Sequence, residues 1–438
     1  MAQGQGWTNW AGRVTCTPQA VASPADERAL AAAIRAATGP VRVAGSGHSF
    51  TPIVATDGLL LDLKHLSGLI AADPLRQTAR LGAGTKIHQI GRALFDMGLN
   101  LKNQGDIDRQ AIAGALATAT HGTGAQLPCL AAELASFRLV TAEGEVLDCS
   151  PTQNADVFAG GRVALGLLGV LSEVTLKVDP AYRLKEQTFV APIAEVLRDL
   201  ATYRLHHRHF EFFWFPWSDM AAVKILEPTE DPAPEPMTPE QMRARGELMT
   251  GDQQAFQAGC EIARFVPQVT PILHRLFTQG ATGRTKVRWA HEIFPSPRTV
   301  RFNEMEYALP WERGAECLSE IVTGLRARKI WTSFPIEFRF VRQDDLWLSP
   351  FYERDAVTLS VHQYYKQDET ALFTFCEEVF RRYDGRPHWG KLHTLKAKDL
   401  ANLYPRFEDF RALRRRLDPK GRFMTPYLAG LMGENGHV

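Results

Sequence analysis

An acid and a base stand two residues apart on an apolar stretch in the second half of the chain. Glu337 and Arg339 lie in the segment PIEFRFV (335–341), whose alternation predicts a β-strand. Successive side chains of a strand point to opposite faces, so both charged groups project from one face and their apolar neighbours from the other. The pattern fits an active-site ion pair, and it fits a structural salt bridge equally well.

Two more groups of polar residues follow within sixty positions. His362 and Tyr364 repeat the same spacing on the strand-like segment VTLSVHQY. Lys391 follows His388-Trp389-Gly390, where an aromatic ring and a glycine can position an ammonium group beside a ligand. These groups extend the candidate polar site of the second half.

Glycine-rich segments mark the first half. Gly45-Ser46-Gly47-His48-Ser49-Phe50 follows the short strand VRVA, and consecutive N–H groups in such a turn can bind an anion such as a pyrophosphate. The loop is not a Rossmann fingerprint, because Phe50 occupies the place of the third glycine and no helix pattern begins there.

A run of small residues, 113–119, precedes Thr120-His121-Gly122-Thr123-Gly124, and the segment LGLLGVL (165–171) is suited to pack against the face of a ring. Small residues allow the backbone to approach a flat ligand closely. Each segment alone fits tight packing of a helix on a sheet equally well. Together they favour an extended ligand that carries phosphates.

The elements that must position these residues are short. Ser23-Pro24 predicts a helix start, with Ser23 as the cap, and Val41–Ala44 and Gly58–Leu63 predict strands. Glu143-Gly144 predicts a hairpin, and 253–279 one helical run. Strands are predicted at 209–216, 302–309, 335–341 and 356–364, and an exposed excursion at 228–239. We expect an α+β protein with domains at residues 1–180 and 181–385 and a C-terminal segment at 386–438.

Composition excludes several classes of protein. The 50 basic against 49 acidic residues give no reason to expect a nucleic-acid partner. The six cysteines form no CxxC pair, so we predict no metal site and a reducing, cytoplasmic location. The first ten residues have no secretion-signal pattern, and no apolar run reaches the ~20 residues of a membrane span.

The ordered set of motifs is specific. GSGHSF, the small-residue run ending in THGTG, LGLLGVLSEVTL, PIEFRF, VHQY and RPHWGK resemble, in this order, the aldonolactone oxidoreductases of the vanillyl-alcohol-oxidase family. The resemblance spans Asn9 to Pro419 and includes the related alditol oxidases. It implies an FAD-binding domain of two α+β subdomains, an α+β cap domain over the flavin, and a C-terminal segment that returns to the flavin.

The resemblance also assigns roles. It implies that His48 bonds covalently to the flavin 8α-methyl group and that Glu337, Arg339 and Lys391 are catalytic. Asp106, His362 and Gln363 are expected at the substrate. The residues expected against FAD, besides His48, are Gly45, Ser46, Gly47, Ser49, Phe50, Gly105, Asp106, Gly114, Thr118, Thr120, His121, Gly122, Gly124, Gly169, Val170 and His388.

The implied activity is FAD-dependent oxidation of a sugar-derived lactone, such as L-gulono-1,4-lactone or D-arabinono-1,4-lactone, by hydride transfer to flavin N5. Oxygen or another acceptor would reoxidise the flavin, and Gly105 beside the flavin favours oxygen. The alternative is an alditol oxidase acting on a polyol such as xylitol or sorbitol, and the segment Asn103–Asp108 resembles the lactone branch more closely. A flavin sensor without turnover would not need the charge cluster around Glu337, and a nicotinamide enzyme would need a GxGxxG–helix unit that is not evident.

Overall fold

The first part of the fold is built on two small sheets. The computed structural model describes residues 6–280 and 283–434. The elements of this part are β1 (Trp7–Thr8), β2 (Thr15–Cys16), β3 (Ala20–Ala22), α1 (Glu27–Ala36), β4 (Val41–Ala44), β5 (Leu59–Asp62), β6 (Leu69–Asp73), β7 (Thr78–Gly82), α2 (Ile87–Phe95), β8 (Leu99–Asn100), α3 (Ile112–Ala117), β9 (Leu134–Val140), β10 (Val146–Cys149), α4 (Ala155–Gly161), β11 (Val170–Lys177) and β12 (Asp179–Pro180). Strands β3, β5 and β4 form a parallel sheet, and β10, β9, β11, β7 and β6 form an antiparallel one.

The second part is built on one antiparallel sheet of eight strands. Its elements are β13 (Arg183–Pro192), α5 (Ile193–Arg198), α6 (Leu200–His206), β14 (His209–Trp214), β15 (Met220–Pro228), α7 (Pro239–Glu247), α8 (Gly251–Phe265), α9 (Thr270–Gly280), β16 (Arg284–Trp289), α10 (Ala290–Ile293), β17 (Phe302–Pro310), α11 (Gly314–Arg328), β18 (Ile336–Val341), β19 (Ala356–Tyr364), α12 (Thr370–Arg382), β20 (Arg386–Pro387), α13 (Ala397–Leu403), α14 (Phe407–Leu417) and α15 (Pro426–Met432). The strand order is β16-β13-β15-β14-β18-β19-β17-β20.

The two faces of this sheet differ in chemistry. The apolar side chains of β18, among them Phe338 and Phe340, are buried in the main core. Helices α11 and α12 pack against β19 and against each other. The opposite face carries the charged residues of β14, β15, β17 and β18, which form the site described below. Period-2 alternation therefore separates a packed face from a polar one.

Most predicted elements are confirmed, with two corrections. Helix α1 begins later than predicted: its cap is Asp26, which accepts a hydrogen bond from Ala29 N at 2.7 Å, and Ser23 and Pro24 precede the helix. The predicted helical run 253–279 is two helices, because Pro267 has no N–H to continue α8 and a single 3-10 turn separates it from α9. Both corrections move an element boundary and leave the element in place.

No helix within 6–280 or 283–434 is both long and apolar enough to cross a bilayer.

Candidate active site

The loop that follows β4 exposes a row of backbone donors. Gly47 has a φ of +71°, which lets the chain turn sharply, and its carbonyl accepts a hydrogen bond from Trp10 N at 2.8 Å. Phe50 N donates to Gly390 O at 2.7 Å, which ties the end of the loop to the C-terminal segment. Across the described ranges, the N–H groups of residues 46–49 have no protein acceptor. Successive free N–H groups are a binding site for an anion.

This loop borders a long cleft of about 1320 Å³ in which half of the lining residues are glycine, alanine, serine or threonine. The cleft runs between the loop, helix α3 and the segment 164–171 and reaches Phe423 near the C-terminus. A side chain added at Gly114 would meet no protein atom within 4 Å, because that glycine faces the open cleft. A cleft that extends along these three segments suits an extended ligand.

A second cavity of about 690 Å³, here called the chamber, lies beside the cleft. Its walls come from the polar face of the eight-stranded sheet, from the loop 105–107 and from the C-terminal segment. The cleft and the chamber share four lining residues: His48, Ser49, Gln110 and Thr118. His48 therefore stands where a ligand in the cleft would reach the chamber.

Arg339 is the centre of the charged chamber wall. Its Nε donates to Glu211 at 2.9 Å, and its Nη2 lies 3.0 Å from Asp106 and in ion-pair contact with Glu337. Glu211 stands directly opposite Arg339 in the pairing of β14 with β18. Among the described residues, Arg339 Nη1 has no acceptor, so one donor of the guanidinium remains available to a ligand.

The three carboxylates around Arg339 are balanced by cations. Asp106, Glu211 and Glu337 have carboxylate oxygens within 4.8 Å of one another. Arg298 pairs with Asp106, and Lys224 lies 2.8 Å from Glu211. With Arg339, these place three cations beside the three carboxyl groups, so the cluster contains its own counter-charges.

Glu337 and Asp106 have opposite shifts in acidity. Burial raises the pKa of Glu337 to about 8, and the neighbouring Asp106 and Glu211 add to the rise, although Arg339 opposes it. Burial also raises the pKa of Asp106, but Arg339, Lys224 and Arg298 outweigh it and hold that pKa well below its usual range. No donor in the described chain reaches Glu337 Oε1 in hydrogen-bonding geometry. Glu337 is therefore the carboxyl of this cluster that is suited to take up a proton near neutral pH.

Strand β17 supplies two buried acids that sequence reasoning missed. Glu304 pairs with Lys391, and His362 Nε2 lies 3.6 Å from Glu304 Oε1. Glu306 accepts from His121 Nε2 at 2.6 Å. Burial opposes ionisation of Glu304, but Lys391 and His362 lower its pKa to about 2. The spacing of the two acids in the segment FNEMEYAL is the i, i+2 signal that identified Glu337 and Arg339, so it was available in the sequence.

His48 is neutral in this setting. Burial lowers the pKa of its imidazole to about 4, and Lys391, Lys86 and Arg109 contribute further. The ring centres of Trp10 and His48 lie 5.7 Å apart. An unprotonated imidazole has a free ring nitrogen at neutral pH.

The structure brings most of the predicted residues to the two cavities. In the cleft wall are Gly45, Ser46, Gly47, His48, Ser49, Gly114, Thr118, Gly169 and Val170. In the chamber wall are His48, Ser49, Gly105, Asp106, Thr118, Thr120, His121, Glu337, Arg339, His362, His388 and Lys391.

Four predicted residues lie behind these walls. Gln363 alternates to the opposite face from His362, and its amide donates to Trp331 O at 3.1 Å. Phe50 stacks on Phe302 with ring centres 5.8 Å apart. Gly122 and Gly124 are closely covered by backbone, since a Cβ would lie 2.4 Å from Gln104 O and 2.5 Å from Arg208 O respectively. For these four the structure shows packing roles and no contact with either cavity.

Comparison with known proteins agrees with the fold and the site. Residues 174–431 match the family model of D-arabinono-1,4-lactone oxidase, and residues 18–150 match that of an FAD binding domain. The chain belongs to the D-arabinono-1,4-lactone oxidase family. The expected α+β fold, with an FAD-binding domain and a cap, is confirmed.

Named relatives are similar over nearly their whole length. L-gulono-1,4-lactone dehydrogenase of Mycobacterium tuberculosis is 40% identical, over 98% of this chain and 99% of the relative. L-gulonolactone oxidase of Scyliorhinus torazame is 31% identical, over 97% and 98%. Alditol oxidase of a Streptomyces species is more distant, at 30% identity over 97% and 98%. Among solved structures, cholesterol oxidase from B. sterolicum superposes with a TM-score of 0.83 over 98% and 97% of the chains, and at 18% identity it shows the fold alone.

Proposed function

We propose that this protein is an FAD-dependent oxidoreductase that holds FAD covalently through His48 and oxidises an alcohol group of a sugar lactone. The observation that carries the proposal is the junction of the two cavities at His48, with the glycine-lined cleft on one side and Glu337, Arg339 and Lys391 on the other. The lactone enzymes among its relatives support the substrate class.

The residues of the cleft fit FAD. The free N–H groups of residues 46–49 suit a pyrophosphate, and the glycine and alanine residues within 111–118 and 164–171 leave room for flat rings. Bound FAD supplies a hydride acceptor at flavin N5 and an 8α-methyl group for attachment. Unprotonated His48, at the junction, is the nucleophile suited to that attachment. Lys86, in the cleft wall, adds positive charge.

The chamber residues then divide the chemistry. Glu337 accepts the proton of the substrate hydroxyl group while a hydride leaves the carbon atom that bears this hydroxyl. The alcohol thereby loses two electrons in all and becomes a carbonyl. Arg339 is fixed by Glu211 and Asp106, and its free Nη1 would hold the substrate oxygen. Lys391, held by Glu304, places a cation at the edge of the chamber, where it would stabilise the negative charge of a reduced flavin. His362 and Asp106 complete the substrate contacts.

We assign residues 1–180 and 386–438 to cofactor binding and 181–385 to the cap. The cleft is lined by residues 7–171 together with Phe423, whereas most of the charged chamber wall comes from residues 298–391. All six cysteines are free thiols, which supports a reducing, cytoplasmic location.

The test is anaerobic mixing of the purified protein with a panel of substrates, followed by loss of the visible flavin absorbance. We expect L-gulono-1,4-lactone or D-arabinono-1,4-lactone to reduce the flavin faster than xylitol or sorbitol. Glu337→Gln is the matched control, because it keeps the shape of the side chain and removes its basicity. Faster reduction by the polyols would make the protein an alditol oxidase, and no reduction by any of the four would contradict the proposal.

A further inference from the structure

Helix α9 buries polar side chains and leaves part of its apolar surface exposed. Its buried side chains are Thr270, His274 and Thr278, while Ile272 is 61% exposed and Leu276 is exposed beside it, one turn away. A surface helix normally turns its apolar stripe toward the core. The outward stripe of α9 therefore lacks a partner within the described part of the chain.

Helix α8 continues this apolar surface. Ile262, Phe265 and Val266 lie on one exposed stripe at i, i+3 and i+4, and Phe265 is 73% exposed. The opposite face of α8 buries Cys260 and Ala263. The stripe of α8 ends at the 3-10 turn Pro267–Val269, and the stripe of α9 begins just after that turn. We call the five exposed side chains the apolar tip: Ile262, Phe265, Val266, Ile272 and Leu276.

The charge around the apolar tip is mostly positive. Residues 261–288 contain five cations, Arg264, Arg275, Arg284, Lys286 and Arg288, and one acid, Glu261, which pairs with Arg264. Arg275 and Arg284 form no ion pair with any described residue. The guanidinium of Arg264 lies over the Phe265 ring at 4.8 Å. Exposed apolar side chains among unpaired cations are typical of proteins that bind the interface of an anionic bilayer.

We propose that the apolar tip is a peripheral docking surface for a bilayer with anionic headgroups. Phe265, Ile272 and their neighbours would enter the boundary between headgroups and acyl chains, and Arg275 and Arg284 would contact the headgroups. A second copy of the chain fits less well, because a symmetric contact would place the cationic surface against itself. The proposal concerns where the protein sits and is independent of the lactone chemistry.

The experiment is sedimentation of the flavin-loaded full chain with vesicles. Vesicles of phosphatidylcholine alone are compared with vesicles of phosphatidylcholine and phosphatidylglycerol. We expect the protein to bind the mixed vesicles, to bind the neutral ones far less, and to be released by salt. The double variant Phe265→Ser, Ile272→Ser should lower the partition coefficient at least about tenfold, because it lacks two apolar side chains that would move from water into the bilayer. Arg275→Gln with Arg284→Gln should lower it roughly fivefold per charge removed.

Matched controls come from the turn between β6 and β7. Leu75 is 98% exposed and Arg76 is also exposed, so Leu75→Ser and Arg76→Gln change the same chemistry elsewhere and should leave binding unchanged. All variants should keep the wild-type thermal midpoint, since the replaced side chains are exposed. The proposal is overturned if the protein binds neither vesicle, binds both equally, or binds equally well in the Phe265 and Ile272 variant. It is also overturned if that variant instead abolishes a concentration-dependent dimer.

Discussion

His48 stands at the junction of the cleft and the chamber, and a single substitution tests its proposed bond. Denatured wild-type protein should carry the added mass of FAD, and denatured His48→Ala should not, because alanine has no nucleophilic nitrogen. Mass spectrometry of the unfolded chains measures this directly. His65→Ala, at an exposed histidine, is the matched control and should keep the flavin. Covalent flavin in His48→Ala would place the attachment at another residue.

Glu337 should give the reaction its pH dependence. An acid with a raised pKa is neutral below that pKa, and only the carboxylate can accept the substrate proton. The rate of anaerobic flavin reduction should therefore rise with pH and level off above about 8. In Glu337→Gln the rate should be roughly 10²–10⁴-fold lower and should lose this rise, with flavin content unchanged. Glu312→Gln, at an exposed glutamate, should behave as wild type. A wild-type profile in Glu337→Gln would make Glu337 a structural residue.

Gly105 is proposed to leave oxygen a path to the flavin. It lines the chamber, and a Cβ there would lie 3.0 Å from His121 O, so alanine fits after a small shift of the backbone. In stopped-flow experiments, Gly105→Ala should slow reoxidation by oxygen and change the rate of flavin reduction little, because its methyl group narrows the approach. Gly251→Ala, at an exposed glycine with open space around it, is the control. Equal reoxidation rates in both variants would show that Gly105 does not control oxygen.

At the scale of elements, Arg42 on β4 joins three segments of the cofactor domain. Its buried guanidinium donates to Ile53 O at 2.9 Å, to Leu165 O at 2.6 Å, to Gly166 O at 3.1 Å and to Phe423 O at 3.0 Å. Leu165 and Gly166 both have positive φ, so these bonds hold an unusual turn against the cleft. Burial lowers the pKa of Arg42 to about 10, which leaves it charged at neutral pH.

Arg42→Met should therefore lower the stability of the protein more than the same substitution at an exposed arginine would. It leaves four carbonyl groups without their donor, so we expect the free energy of unfolding to fall by about 3–5 kcal/mol in a denaturant titration. Arg35→Met is the matched control, because exposed Arg35 makes a single long bond, to Gly144 O at 3.4 Å. A loss in Arg42→Met no greater than that in Arg35→Met would show that the four bonds contribute little.

Local pattern was enough to predict which segments form strands, and it was not enough to predict which strands meet. Runs of aromatic and other β-forming residues located β14, β17, β18 and β19, and alternation placed Glu337 and Arg339 on one face. Besides Glu337, the partners of Arg339 come from β14 and from the loop 105–107, more than a hundred residues away, so no local signal reports them. Gln363 is a different case, because strand alternation alone places it on the face opposite His362, and its amide bonds to Trp331.

Across the whole molecule, the chamber charges balance through contacts between distant parts of the chain. The Arg339 cluster joins β14, β15 and β18 to the loop that holds Asp106, and the Glu304–Lys391 pair joins β17 to the C-terminal segment. The net charge of +1 does not indicate this arrangement, because it counts every charged residue. The chamber depends only on the acids and bases that are buried together. The chamber thus exists only in the folded chain, and the cleft that adjoins it is assembled in the same way.

Binding of FAD should for that reason stabilise the molecule as a whole. The cleft is lined by residues from β4, α3, the segment 164–171 and Phe423, so a ligand in it contacts parts that separate on unfolding. In wild type the proposed covalent bond keeps the flavin with the chain. In His48→Ala the binding of FAD is reversible, so added FAD should raise the thermal midpoint by mass action. At an FAD concentration one hundred times Kd, the free energy of unfolding should rise by about 2.7 kcal/mol, which corresponds to a shift of a few degrees.

Thermal unfolding at increasing FAD concentration measures this. Wild type and His65→Ala should show a constant midpoint, and His48→Ala should show a rising one. Riboflavin in place of FAD should shift His48→Ala much less, since it lacks the phosphates that the N–H groups of residues 46–49 would bind. An equal shift in wild type would mean that its flavin exchanges freely. No shift in His48→Ala would mean that the cleft does not hold FAD.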